Sequence, residues 1–147
     1  GVKRALTDDR VTEVLTAAGQ SYKYLQAEGG FSQPNPQVAQ HMLTWALDCT
    51  KDVGGDLLEL YCGNGNFTIP FASQFNRVLA TEISKTSVKL ANENFALNGT
   101  KNAQVIRMSS EEFTQAMNGD REFRRMRDVT LADYCTATLK HYLMITG

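Results

Sequence analysis

The middle of the chain alternates between short apolar runs and longer amphipathic stretches. Strand-like runs cover residues 57–60, 77–82 and 104–108, and the near-continuous apolar run at 57–60 predicts a parallel strand buried on both faces. The amphipathic stretches, which predict helices, cover about residues 36–50, 67–75, 85–97 and 110–117. Strands that alternate with helices at these lengths indicate β–α–β units. The pattern therefore predicts an α/β fold, a partial Rossmann-like parallel sheet with flanking helices.

Local signals mark the ends of several helices. Ser84 is a predicted N-cap for helix 85–97, and Ser109 with Glu112 has the spacing of a capping box. Asn35 is the predicted N-cap of the first helix, where a proline follows it. Pro70 lacks a backbone N–H, so we expect a short or kinked first turn in the helix predicted at about residues 67–75.

The first predicted helix has an unusually wide apolar face. Its apolar residues are Val38, Ala39, Met42, Leu43, Trp45, Ala46 and Cys49. From this face we expect Trp45 and Met42 to pack in the core and Cys49 to be buried. His41 lies off the face and is expected to be in solvent. Two shorter runs before this helix, residues 10–15 and 22–26, are predicted strands.

Composition narrows the class of protein without selecting one. The chain has 147 residues, 42% hydrophobic and 21% charged, which suits one globular domain with a core. The net charge of −1 gives no general basic signal for nucleic acid, although a local patch can suffice. Three cysteines without metal-ligand spacing, and no signal peptide, favour a reduced cytoplasmic protein with no metal and no membrane span.

The candidate chemistry lies in residues 57–67, where a strand leads into a Gly-x-Gly turn at Gly63 and Gly65. A predicted helix and a second strand follow, and that strand ends on Glu82. This order of strand, glycine turn, helix, strand and acid is typical of a nucleotide-cofactor site. Glycines allow the backbone to approach a ligand closely, and the acid can accept hydrogen bonds from a ribose diol.

Two details favour S-adenosyl-L-methionine (SAM) over a dinucleotide. The third glycine of a dinucleotide fingerprint is replaced by Thr68. Glu59 lies four residues before Gly63, which gives the acid-x-x-x-Gly-x-Gly spacing common in SAM sites. A tight turn without a ligand and a nicotinamide-dependent oxidoreductase remain alternatives.

Four blocks of sequence, in order, resemble the bacterial tRNA (uracil-5-)-methyltransferase family, which forms ribothymidine in the T loop. The blocks are residues 31–35, 58–67, 79–83 and 111–119, and the resemblance runs from near residue 1 to about residue 134. It implies a class I, SAM-dependent RNA methyltransferase whose partner is the T arm of tRNA. The residues that it implies at the cofactor are Gln33, Tyr61, Gly63, Gly65, Asn66 and Glu82. Gln33 is also implied to lie near the target uracil.

The end of the chain departs from this family. The family's next strand ends in Asp-Pro-Pro-Arg, and counting from Tyr134 places that Asp at Tyr142. The family's nucleophilic cysteine, in Ser-Cys-Asn-Pro, and its general-base glutamate have no counterpart here. We interpret Cys62 as a small packed residue rather than a substitute nucleophile.

The resemblance thus divides the chain into a linker segment at 1–30, the SAM-binding part of a methyltransferase domain at 31–134, and a non-matching tail at 135–147. It implies a C-terminally truncated fragment that is inactive alone. The alternative is a non-catalytic SAM- or RNA-binding module.

Overall fold

A computed structural model describes residues 10–27, 36–52, 54–118 and 141–144. Along the chain the elements are β1 Arg10–Ala17, β2 Gln20–Ala27, α1 Pro36–Thr50, β3 Asp56–Leu60, α2 Thr68–Ala72, β4 Arg77–Glu82, α3 Lys85–Leu97, β5 Ala103–Arg107, α4 Ser110–Met117 and β6 His141–Met144. No described helix combines the length and the apolar character that a membrane span requires.

Strands β3 to β6 form one parallel sheet in the order β5-β4-β3-β6. Every residue of β3 is buried, because the strand has a neighbour on each side and packed side chains on each face. The parallel sheet and its helices confirm the predicted α/β fold. Strand β6 lies within the segment interpreted as a tail, and its backbone pairs Tyr142 with Leu58.

Alternate residues of the central strands feed two cores, one on each face of the sheet. On one face, Leu57 and Val78 pack with a cluster that includes Leu43 of α1 and Phe71 of α2. On the other face, Leu58, Leu60 and Leu79 pack with Ile106, Met108 and Phe113. Period-two alternation of strand side chains explains this division.

Strands β1 and β2 form a separate antiparallel hairpin. Tyr22 and Tyr24 of β2 are buried in a third apolar cluster with Ile69, Ala91 and Phe95. The hairpin therefore packs beside the turn that joins β3 to α2, and this position matters for the site.

The N-terminal ends of α3 and α4 match their sequence signals. Ser84 accepts a hydrogen bond from the Ser87 N–H at 3.3 Å. Ser109 and Glu112 form the reciprocal capping box, with bonds of 3.0 and 2.9 Å. Helix α2 covers only Thr68–Ala72, so the helix predicted at about residues 67–75 was too long, and the amides of Ser73 and Gln74 bond to carbonyls three residues back rather than four. Asn35 lies outside the described residues.

The interpretation of α1 is wrong on its apolar face. Trp45 is 69% exposed, Met42 is 51% exposed and Cys49 is exposed, whereas His41 is exposed as predicted. The core-facing stripe consists of Ala39, Leu43, Ala46 and Leu47. The other apolar residues form a second stripe, which the described part of the chain leaves exposed, and apolar spacing alone cannot say whether a neighbour covers a stripe.

Candidate functional site

The site lies at the carboxyl ends of β3 and β4, where open α/β sheets bind ligands. The turn after β3 and the residues after β4 meet there. The structure brings together all the predicted cofactor residues that it describes, and these are Tyr61, Gly63, Gly65, Asn66 and Glu82. Gln33 lies outside the described residues.

Three residues of the turn have left-handed backbone angles. Gly63 has φ +58° and Gly65 has φ +87°, as their residue type allows. Tyr61 also has φ +58°, which costs a non-glycine residue about 1–2 kcal/mol. The residue after Tyr61 is fixed to β4, because the Cys62 N–H donates to the Thr81 carbonyl at 3.0 Å. Backbone strain of this kind is common at functional sites. No signal in the sequence indicated it at Tyr61.

The two glycines of the turn are needed for different reasons. A Cβ on Gly65 would lie 3.0 Å from the Phe95 ring and 3.7 Å from Ala91, both on α3. A Cβ on Gly63 would meet nothing within 4 Å, so only its backbone angle favours glycine. Close packing against a helix therefore requires Gly65, whereas the expectation from sequence was close approach to a ligand.

Glu82 joins the two loops of the site through backbone amides. Its Oε2 accepts a hydrogen bond from the Gly63 N–H at 2.8 Å. Its Oε1 accepts from the N–H groups of Ile83 and Ser84, both at 2.9 Å. These bonds use three of the roughly four acceptor positions of a carboxylate. Sequence reasoning found the acid but missed this role in holding the turn.

Glu59 lies inside the sheet and is 1% exposed. The Thr68 hydroxyl donates to its Oε2 at 2.7 Å. Burial raises the pKa of Glu59 to about 7, and the bond from Thr68 opposes that shift only in part. Glu59 is therefore a largely buried partner of α2 rather than a surface acid that offers a ligand contact.

Cys62 is a packed thiol, in agreement with the sequence interpretation. It is 5% exposed, and its Sγ lies 3.6 Å from the Gly63 carbonyl oxygen. Burial, and then the charges of Glu59 and Glu82, raise the pKa of Cys62 well above its usual value. A cysteine in these surroundings stays protonated and is a poor nucleophile.

The remaining features of the site suit a ligand that has both hydrogen-bond donors and a flat apolar part. Asn66 Oδ1 is buried and has no hydrogen-bond partner among the described residues. Tyr61, in the turn, is 39% exposed, and Ile83, directly after Glu82, is 58% exposed, so both have side-chain surface open to solvent. Ile83 was not predicted, and its only sequence signal is its place directly after the acid. In the same described ranges, no cluster of acids, histidines and cysteines could hold a metal.

Solved structures with a similar fold define the class of fold. The chain is similar to a 16S rRNA methyltransferase of T. thermophilus in complex with AdoMet and guanosine, with a TM-score of 0.63 and 24% identity over 75% of this chain and 30% of that chain. It is also similar to a SAM-dependent methyltransferase from Agrobacterium tumefaciens, with a TM-score of 0.58 and 21% identity over 80% of this chain and 38% of that one. The fold is that of the class I methyltransferases.

Sequence similarity identifies the family. The profile of the family described as tRNA (Uracil-5-)-methyltransferase matches residues 1–141. A tRNA/tmRNA (uracil-C(5))-methyltransferase of Saccharophagus degradans is 57% identical over 93% of this chain and 38% of its own length. The protein of that description from Neisseria meningitidis serogroup A is 52% identical over 95% of this chain and 39% of its own length.

The chain therefore belongs to the tRNA (uracil-5-)-methyltransferase family, as its sequence blocks predicted. It spans less than two-fifths of the length of these relatives.

Proposed function

We propose that residues 31–134 are the SAM-binding part of an enzyme that methylates uracil C5 in the T loop of tRNA. Family membership supports the activity class. The observation that carries the cofactor assignment is the buried Asn66 Oδ1, which has no hydrogen-bond partner among the described residues and lies in the turn that the Glu82 carboxylate holds. A buried acceptor without a donor is costly, so a bound donor would stabilise the turn.

The contacts proposed for SAM follow from the chemistry of each residue. Glu82 has one acceptor position left for a ribose hydroxyl, and Asn66 Oδ1 suits the ammonium group of the methionine part. Tyr61 and Ile83 offer apolar surface to the flat adenine ring. Gly63 leaves open space beside the methionine part, and Gly65 keeps the turn against α3. Gln33 is proposed to face both SAM and the target uracil, on the family resemblance alone.

The described residues supply binding rather than the nucleophile. Bound SAM supplies an electrophilic methyl group, but uracil C5 is a weak nucleophile. In the family mechanism a cysteine thiolate adds to C6 of a flipped-out uracil, and the resulting enolate takes the methyl group at C5. A base then removes the C5 proton, and the C6–S bond breaks to release the cysteine. Cys62 cannot take that part, because burial keeps its thiol protonated. We therefore propose that the chain binds SAM but does not transfer its methyl group unaided.

Two measurements on the purified 147-residue chain test these proposals. Isothermal titration calorimetry should show binding of SAM and S-adenosylhomocysteine, and excess NAD should not compete. A T-arm RNA hairpin incubated with methyl-labelled SAM should acquire no label. A cooperatively folded chain without affinity for SAM would refute the cofactor assignment. Label at uracil C5 would instead show that the chain contains a working nucleophile.

A further inference from the structure

The β1–β2 hairpin contacts the cofactor turn through the hydroxyl of Tyr24. Tyr24 is 1% exposed, and its Oη donates to the Asn66 carbonyl oxygen at 2.7 Å. Burial, and then the nearby Tyr22 and Glu59, raise the pKa of Tyr24, so the hydroxyl remains a donor. Asn66, whose backbone carbonyl is held in this way, also has a buried side-chain oxygen without a partner in the part of the chain that the structure describes.

Asn94 of α3 makes a second contact with the same turn. Its side chain is fully buried, and its Nδ2 donates to the Asn64 carbonyl oxygen at 2.9 Å. The same side-chain amide also holds β2 by a pair of bonds to one residue's backbone, here called a clamp: Nδ2 donates to the Leu25 carbonyl at 3.2 Å and Oδ1 accepts from the Leu25 N–H at 2.7 Å. One side chain therefore joins the hairpin, α3 and the turn.

Asn98, one helical turn later, provides a natural comparison. Its Oδ1 accepts from the Lys23 N–H at 3.0 Å, and its Nδ2 donates to the Lys23 carbonyl at 2.7 Å. This is the same clamp on β2, two residues along the strand. None of the bonds found for Asn98 in the described structure reaches the cofactor turn. The bond from Asn94 to Asn64 is therefore additional to what docking of the hairpin uses.

We infer that Tyr24 and Asn94 are positioning residues. Tyr24 fixes the carbonyl of Asn66 and Asn94 fixes that of Asn64, and together they hold the turn in the conformation that binds its ligand. Fixing two carbonyls in a seven-residue turn sets the orientation of its peptide planes. The Gly63 N–H can then meet Glu82, and the Asn66 side chain keeps its orientation. A turn ordered before binding loses less conformational entropy when the ligand arrives. The identity of that ligand as SAM rests on the proposed function.

Tyr24→Phe is the sharpest test, because it removes one hydroxyl and leaves the ring in its cluster. Tyr22→Phe is the matched control, since the Tyr22 hydroxyl donates to the Gln20 side chain within the hairpin. Calorimetry should show about fivefold weaker SAM binding for Tyr24→Phe, the change expected for one hydrogen bond, and an unchanged affinity for Tyr22→Phe. Without SAM, hydrogen exchange of the Gly63 and Gly65 amides should be faster than in the wild type for Tyr24→Phe and unchanged for Tyr22→Phe.

Asn94→Asp and Asn98→Asp form a second matched pair. Each change replaces the amide donor with an oxygen and disturbs the clamp on β2, so both variants should melt at a lower temperature. Only Asn94→Asp should also speed amide exchange at Gly63 and Gly65. A purely structural role would give both variants the same exchange pattern, and this pair would then contradict the inference. If Asn94→Asp does not fold, Tyr24→Phe decides the question by itself.

The two proposals can fail separately. If the wild-type chain does not bind SAM, the proposed function fails for this chain, and amide exchange still decides the positioning role. If the wild type binds SAM and Tyr24→Phe matches Tyr22→Phe in affinity and in exchange, Tyr24 does not position the turn.

Discussion

Glu59 and Glu82 lie on neighbouring strands, and their different surroundings give the two carboxyl groups different roles. Glu59 is enclosed in the sheet, where the described bond to its carboxyl comes from the Thr68 hydroxyl, and its pKa is raised to about 7. Glu82 ends the next strand and accepts three backbone N–H groups from two loops. Glu59 is therefore buried without a positive charge beside it in the described structure, whereas Glu82 is surrounded by three backbone N–H donors.

The difference teaches that the donors around each oxygen decide what an acid can do. A buried carboxyl with few donors is stabilised in its neutral form, so its charge is of little use to a ligand. A carboxylate that accepts several amides can hold loops and still bind a hydroxyl. The same change, glutamate to glutamine, should therefore have opposite results at the two positions.

The largest loss, in stability and in SAM binding together, is expected from Glu82→Gln. Glutamine has one acceptor oxygen, so its NH₂ group must face either the Gly63 N–H or the two amides after β4. Loss of a charge-assisted bond on one side should lower the free energy of unfolding by about 1.5–3 kcal/mol. SAM affinity should fall by about tenfold or more, since the same loss disturbs the turn.

Urea unfolding and calorimetry on Glu82→Gln and Glu82→Ala measure these two quantities. Glu82→Ala should weaken SAM binding by about 1–3 kcal/mol, because it removes the acceptor entirely. Wild-type affinity in both variants would remove Glu82 from the site.

A pH-dependent gain in stability is expected from Glu59→Gln. The pKa of Glu59 is about 7 in the folded chain, compared with 4.5 for an unperturbed glutamate. A raised folded-state pKa means that its contribution to stability is complete below about pH 4.5 and is lost as the pH rises to about 7. The span corresponds to about 3 kcal/mol. Glu59→Gln lacks this titration, so its free energy of unfolding, relative to that of the wild type, should rise by about 3 kcal/mol between pH 4.5 and pH 7.5.

Urea unfolding of both proteins over a pH series measures the difference directly. Other carboxyl groups titrate alike in the two chains, so subtraction isolates Glu59. A difference that stays constant from pH 4.5 to pH 7.5 would contradict the raised pKa.

The smallest effect concerns Cys62, whose pKa both acids raise. At pH 8 we expect iodoacetamide to label the exposed Cys49 at least about tenfold faster than the buried Cys62. Glu59→Gln should speed labelling of Cys62 only slightly, because burial is the larger cause of its raised pKa. Peptide mapping by mass spectrometry measures both rates, and 8 M urea serves as the control that equalises them. Equal rates in the folded chain would contradict the buried thiol.

Local signals in the sequence determined much of the fold. Helices α1, α3 and α4 begin and end where apolar period, caps and glycines predicted, and the capping box of Ser109 forms as expected. The order of strand, glycine turn, helix, strand and acid placed Gly63 and Glu82 at one edge of the sheet. These features depend on residues only a few positions apart, so their signals can be found in the chain itself.

Tertiary packing decided the features that the sequence could not announce. Tyr24 meets Asn66 across 42 positions, and Asn94 meets Leu25 across 69. The exposure of Trp45 and the contact that makes Gly65 necessary likewise depend on which elements pack together. Burial and hydrogen-bond partners arise from distant parts of the chain that meet only in the fold, whereas capping and periodicity arise between near neighbours.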